Sequence, residues 1–395
     1  MADWLEECGV DTVAMESTGV YWIPVYEILE VRGFEVILVD TSQIKYAPGR
    51  KTDYLDCQWI QELHTFGLLR GAFRPDDFIC QVRGYVRQRS TLVREGSKPV
   101  QHMQKALEQM NVKLNSVLRE VTGKTGMSII EAILDGDRTP EKLASLRHKQ
   151  CKHDEAEFVK AMQGNWRDEH LFALRQSVDL WRYYKTKITE CDVEIAKLLG
   201  EQPNISGDKS LASGRAKRPN RRNELNFDGR TMLFQLTGVD LTSIEGIEES
   251  SALTIISEIG TDMSPWDNAK RFASWLKVCP GNNKSGGYNK SGKNRRSANR
   301  AAQALRIAAQ TIGRSKTALG AFYRRKAATR GAAIAIKATA HKLAVLVYSM
   351  LKYGTEYVTR SQEDYEQKYR DRQVRFLKRQ AKRLGFHLSE SAEPS

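Results

Sequence analysis

"DTVAMESTGVYWIPVYEILEVRGFEVILVD", residues 11–40, decides how the first part of the chain folds. "DTVAMEST" reads as a short strand. Its alternation sets Val13 and Met15 on one face, Ala14 and Glu16 on the other. "VYWIPVYEILEVRG" predicts a helix that closes at Gly33. "FEVILVD", residues 34–40, is a near-continuous apolar run, the pattern of a buried parallel strand. Outward from this stretch, "SQIKYAPGRKT" is a loop around Pro48 and Gly49, and "DYLDCQWIQELHTFG" is an amphipathic helix ending at Gly67. Strands that alternate with helices indicate an α/β sheet.

The middle of the chain is helical. Val100, Met103, Leu107, Met110, Leu114 and Val117 recur at the spacing of a coiled-coil seam. Leu171, Leu174, Val178 and Trp181, then Ile188, Cys191, Ile195 and Leu198, form a second seam interrupted at Lys185. The two seams can close as a hairpin within the chain, as a contact between chains, or as an ordinary bundle core. Residues 201–226 are polar and basic, the composition of a linker. A second, mainly helical domain is expected at 227–355, and a charged exposed helix at 356–395.

With 395 residues the chain is long enough for several domains with real cores. Its net charge of +14 favours polyanionic partners, nucleic acid first. The charge is unevenly placed. Residues 268–355 hold 19 Lys or Arg and no Asp or Glu, the pattern of a surface that faces phosphates. No apolar run in this reading reaches the ~18 residues of a spanning helix, which argues against a membrane partner. Six scattered cysteines without a CxxC pair suggest reduced thiols in a cytosol. His148, Cys151 and His153 lack the second ligand pair of a zinc finger.

Two groups of residues can carry chemistry. Asp53 and Asp56, spaced i,i+3 at a helix start, share one helix face, and Glu16 closes its strand at the carboxyl end, where open α/β sheets gather their sites. Three hard oxygen donors suit Mg²⁺, although an Asp at a helix start after Thr52 also reads as a simple cap or dipole partner. The second group is the loop "GNNKSGGYNKSGKNRRSANR", residues 281–300. Ser285 lies between Lys284 and a Gly pair, ahead of a helix expected near Ser297. Lys284, Lys290, Lys293, Arg295, Arg296 and Arg300 would hold a phosphate backbone around it. No His or Glu stands beside Ser285 as a base, so a nucleophilic serine would need a polarised phosphate. "GYNKSGKN" nearly matches a P-loop, but ends in Asn294 and follows no strand. "LTGVDLTSIEGIEESSALTIISEIG", residues 236–260, has the turn of a helix-hairpin-helix at 244–247, or of a plain helical hairpin.

"VAMESTGVYWIPVYEILE", "PGRKTDYLDCQWIQELHTFGLLR", "LTGVDLTSIEGI", "FASWLKVCPGNNKSGG" and the helical stretches beyond residue 297 together resemble the DEDD transposases of the insertion sequence 110/1111 type. The resemblance implies an α/β plus all-α chain. A RuvC-like domain of ribonuclease-H type would span 1–98, a helical coiled-coil insert 99–200, a basic linker 201–226, a transposase domain 227–355 and a charged helix 356–395. It further implies that Glu16, Asp53 and Asp56 hold Mg²⁺ on a scissile phosphate while Ser285 attacks. Strand exchange would come next, with a bridge RNA choosing the DNAs, in a cytoplasmic, nucleoid-associated homo-oligomer (dimer or tetramer). The family's first aspartate lies on a strand ahead of the glutamate. This sequence begins "MADWLEECGVDTVAMES", so the RuvC-like domain is expected to lack its first strand. Asp11, some ~15 Å from Glu16 in an extended chain, does not replace that aspartate. The competing readings are a RuvC-like nuclease that uses water, and an inactive truncated nucleic-acid-binding relic.

Overall fold

The computed structural model describes residues 1–40, 44, 52–211, 223–279, 282–285, 288–291, 299–356, 361–387 and 389. They divide into two units, Met1–Pro75 and Asp76–Ser395.

In the first unit the short helix α1 (Ala2–Glu7) leads to strand β1 (Thr12–Glu16). Helix α2 (Trp22–Val31) then crosses over to strand β2 (Glu35–Val39). The strands pair in parallel, with Thr12 opposite Glu35 and Glu16 opposite Val39. Gly33, at φ +88°, makes the turn out of α2. Val13 and Met15 pack with Leu29 and Phe34 on one face of the sheet. Ala14 and Ile37 pack with Ile60 and Trp59 on the other, which is the side taken by helix α3 (Asp53–Thr65). The alternation read from the sequence therefore sorts β1 between two small cores.

Among the described residues the second unit is helical but for one pair of short strands. It begins with α4 (Asp77–Glu95) and α5 (Ser97–Gln109), so the unit boundary falls at 75/76 and α4 belongs to the helical unit rather than to the αβ layer. Short helices α6 (Leu114–Val117), α7 (Lys124–Leu134), α8 (Pro140–Ser145) and α9 (Glu155–Ala161) come next. The long helix α10 (Asp168–Gly200) then packs along both α4 and α5. All six residues of the first seam are buried in one core with Leu174 and Val178 of α10. The seam is not one coiled-coil helix, however. α5 stops at Gln109, Asn111 adopts φ +60°, and Leu114 and Val117 sit in α6. The heptad spacing is here the spacing of an intrachain bundle core.

A buried ion pair fastens α4 to α10. Arg89 donates from Nε to Asp192 Oδ1 at 2.5 Å, and from Nη2 to the carbonyls of Asn223 and Glu224. Asn226 donates through Nδ2 to Asp192 Oδ2 at 2.8 Å. Both ends of the basic segment 201–226 are thus held: Ile205 also donates to the Gln235 carbonyl, and residues 212–222 lie outside the described set. Nearby, Arg87 grips Glu258 with two bonds of 2.8 Å, which holds its guanidinium above the usual arginine range.

The rest of the unit comprises α11 (Gly229–Thr237), a 3₁₀ turn (Leu241–Ser243), α12 (Glu249–Ile259) and α13 (Ala269–Trp275). The antiparallel pair β3 (Asn282–Ser285) and β4 (Tyr288–Ser291) comes after α13. Four helices complete it: α14 (Arg300–Ile312), α15 (Ala318–Arg330), α16 (Ala332–Tyr353) and α17 (Gln362–Arg383). By length and composition α16 could cross a membrane, with mean hydropathy 1.3, which amends the sequence reading. Leu343, Ala344 and Val347 of α16 are fully buried, and Tyr348 donates from its hydroxyl to the Trp266 carbonyl at 2.9 Å. It packs against α13, α14 and α15 as a core helix does.

Removing Asp192 strands a buried guanidinium. Asp192→Ala is expected to destabilise the second unit by about 3–5 kcal/mol, and replacing Arg89 and Asp192 together by leucines by much less. Urea unfolding of the two variants checks this.

Candidate functional site

Three positions singled out in the sequence lie in the first unit. Residues Thr12, Ala14 and Glu16 share the face of β1 that α3 covers. The Thr12 hydroxyl is hydrogen-bonded to His64 Nε2 at 2.8 Å. The last turn of α3 therefore lies at the start of β1, and the helix runs antiparallel to the strand. From His64 back to Asp53 α3 climbs about 16 Å, while β1 from Thr12 to Glu16 covers about 13 Å. The first turn of α3, with Asp53 and Asp56, therefore points toward the carboxyl end of β1, the end that Glu16 closes. Thr52 caps that turn by accepting from the Leu55 amide. Glu16 Oε1 accepts from the Thr18 hydroxyl. Asp53 is exposed, and Glu16 and Asp56 are half-buried.

Among the described residues no three His, Cys, Asp or Glu side chains gather as a ready cation cage. Mg²⁺ does not require one. It takes one or two carboxylates and completes its shell with water and substrate phosphates. By donor type the three carboxylates suit such a cation, but the structure does not gather all three around one point.

The serine position lies in the second unit. Residues 282–285 and 288–291 pair as antiparallel strands rather than forming a plain loop, with Ser285 opposite Tyr288 and Lys290 opposite Asn283. Ser285 is the last residue of β3. Of the cations proposed around it, Lys284 and Lys290 lie on the two strands, and Lys293, Arg295 and Arg296 lie outside the described residues. The downstream helix is described from Arg300, with Asn299 as its cap, rather than from Ser297. Arg300 is half-buried at that helix start, and its Nη1 is buried without a hydrogen-bond partner among the described residues.

Sequence reading missed a cluster at the root of the hairpin. Cys279 Sγ lies 3.7 Å from His341 Nδ1 on α16. Burial, then Lys342, keep His341 below the usual histidine range. Burial raises the Cys279 thiol, with Lys337 opposing it, and burial lowers the Lys337 ammonium. The signal was present: Lys337 and His341 stand i,i+4 in the otherwise apolar "AAIAIKATAHKLAVL".

The 244–247 turn packs inward. Gly246 adopts φ +81°, and a Cβ there would come within 2.7 Å of the Ala308 carbonyl on α14. Glu245 is buried, and Thr317 donates from Oγ1 to its Oε2 at 2.9 Å. The element before the turn is a 3₁₀ turn, not a full helix.

Residues 1–112 match the model of a transposase family of the DEDD IS110 type, and residues 240–324 that of the IS116/IS110/IS902 transposase family. The first match contains Glu16, Asp53 and Asp56, and the second contains Ser285. No curated protein matches the chain.

The Thr12–His64 bond fixes the direction of α3, so its loss should loosen the layer. Thr12→Val is expected to cost about 1 kcal/mol. Hydrogen exchange of a peptide spanning residues 11–17, read by mass spectrometry, should speed up about five-fold.

Proposed function

Because the chain belongs to the IS110-type transposases, we propose that it cuts and rejoins DNA by attack of Ser285 on a phosphodiester that the acidic end of the first unit helps to activate. The observation that supports this reading is the direction of α3, which points the turn of Asp53 and Asp56 toward the Glu16 end of β1. A parallel layer with acids toward its carboxyl end supports the reading of a RuvC-like domain of ribonuclease-H type, since open α/β sheets gather their sites there.

Glu16, Asp53 and Asp56 would hold a divalent cation, Mg²⁺ by donor type, and such a cation neutralises charge developing on a scissile phosphate. The chain's own residues then have defined tasks. The Ser285 oxygen bonds to phosphorus and the bond from phosphorus to O3′ breaks. The serine proton passes to solvent and the departing oxygen takes one up as a free 3′-hydroxyl. The product is a 5′-phosphoserine link that preserves the energy of the phosphodiester for rejoining. Lys284, Lys290, Lys293, Arg295, Arg296 and Arg300 hold the backbone on either side. The 88 acid-free residues from 268 to 355 support polyanion binding by the second unit. A bridge RNA as guide, and a homo-oligomer that supplies enough sites for several strand cuts, belong to the same reading.

The experiment is a covalent adduct assay on labelled element-end DNA with Mg²⁺. Wild type is expected to give a protein–DNA adduct that Ser285→Ala abolishes. Asp53→Asn and Glu16→Gln are expected to slow it by roughly a hundred-fold or more. Cleavage that persists in Ser285→Ala without an adduct would replace this reading by a nuclease that uses water.

A further inference from the structure

A cleft of about 880 Å³ opens between α15, α16 and α17. Leu319, Phe322, Leu346 and Met350 give it an apolar floor. Lys342 of α16 lies over the Phe322 ring, 4.6 Å from its centre, and α17 adds Lys368, Arg372 and Arg375, against the carboxylates of Glu356 and Asp364. Cations are thus in excess at the opening. Among the described residues none of these four cations makes an ion pair with a carboxylate, and the guanidinium Nε atoms of Arg372 and Arg375 donate to carbonyls of their own helix. Burial, then Arg372 and Lys326, hold the Lys342 ammonium below the usual lysine range.

The cleft is a built feature. Arg324 donates to the carbonyls of Gly313 and Ser315 and to Gln362 Oε1, which fastens the start of α17 to the turn before α15. Phe322 meets Tyr365 edge-on at 6.5 Å, and the Arg325 guanidinium lies 3.3 Å from the Tyr369 ring centre. Crowded like charges held in place by such fastenings favour an anion between them. The volume is that of a site for one small ligand. A duplex, which presents its phosphates and groove edges on its outside, does not enter a space of this kind. An apolar floor under a cationic rim suits an unstacked base and its flanking phosphates.

We propose that this cleft binds an unpaired nucleotide of a single-stranded nucleic acid, its base on the floor beside Phe322 and its phosphates on Lys342, Lys368, Arg372 and Arg375. The inference rests on the reading of the chain as acting on nucleic acid. It adds a site that lies mostly beyond residue 324, where the second family match ends.

Fluorescence anisotropy of the full chain with labelled 15-nucleotide DNA and RNA strands tests it. The Lys368→Ala/Arg372→Ala/Arg375→Ala variant is expected to bind at least ten-fold more weakly at low salt, with a salt slope smaller by about two. Phe322→Leu is expected to weaken binding about ten-fold at an unchanged slope. The tighter of the two strands names the sugar. Circular dichroism checks that each variant keeps its helices, and if Phe322→Leu does not fold, the triple variant decides. Wild-type affinity in the folded variants, or displacement of the strands by polyglutamate as readily as by unlabelled oligonucleotide, would overturn the proposal. If the cleft variants bind single strands normally while Ser285 still forms its adduct, only this inference fails. If the wild type binds no nucleic acid, the functional reading fails with it.

Discussion

One hydrogen bond and one small core set the direction of a single helix, and the candidate acidic site depends on that direction. α3 lies on the Thr12, Ala14 and Glu16 face of β1, held by Trp59 and Ile60 beneath and by His64 on Thr12 at its far end. The two anchors, Ile60 in the core and His64 on Thr12, together orient the first turn of α3 toward the carboxyl end of the strand. Had α3 run the opposite way, Asp53 and Asp56 would stand at the wrong end of the strand. The like charges of these side chains are tolerable because they are exposed or half-buried at a helix start, where the dipole favours them. A cation and a phosphate would complete the neutralisation.

The second unit is stiffened by charged groups taken out of water. Arg89 and Asp192 are buried together with the backbone of residues 223–226, and Arg83 and Arg87 hold the end of α12 through Glu258 and two carbonyls. Such pairs add little net stability over apolar residues, but each fixes which helix meets which. α16 then supplies a buried apolar spine, and its His341 meets Cys279, three residues ahead of β3. Ser285, the nucleophile of the proposed reaction, stands at the end of a short strand.

Much of this was legible in the sequence, for identifiable reasons. The period of two in residues 12–16 and the apolar run 35–39 gave the parallel pair and its two faces. The spacing of Val100 through Val117 correctly marked buried positions. It did not reveal that Asn111 breaks the helix, because a left-handed Asn leaves the hydrophobic register intact. The hairpin at 282–291 was hidden, since Asn, Lys, Ser and Gly are poor strand formers and backbone pairing alone defines it. The Cys279–His341 contact and the cleft under α17 join residues far apart in the chain, and no local pattern announces them. The glycine turn at 246 left a helix-hairpin-helix and a plain helical hairpin both open, and its missing Cβ makes room for a carbonyl of α14.

The central claim is that Glu16 and the first turn of α3 serve one cation. Iron-dependent hydroxyl-radical cleavage tests it most directly, with Fe²⁺ replacing Mg²⁺ on the full chain bound to DNA. Shared ligation predicts backbone cuts at two places together, around residues 16–18 and 52–56, both suppressed by excess Mg²⁺ and both lost in Glu16→Gln. Cuts at one place without the other, or cuts that ignore the Glu16 substitution, would contradict it.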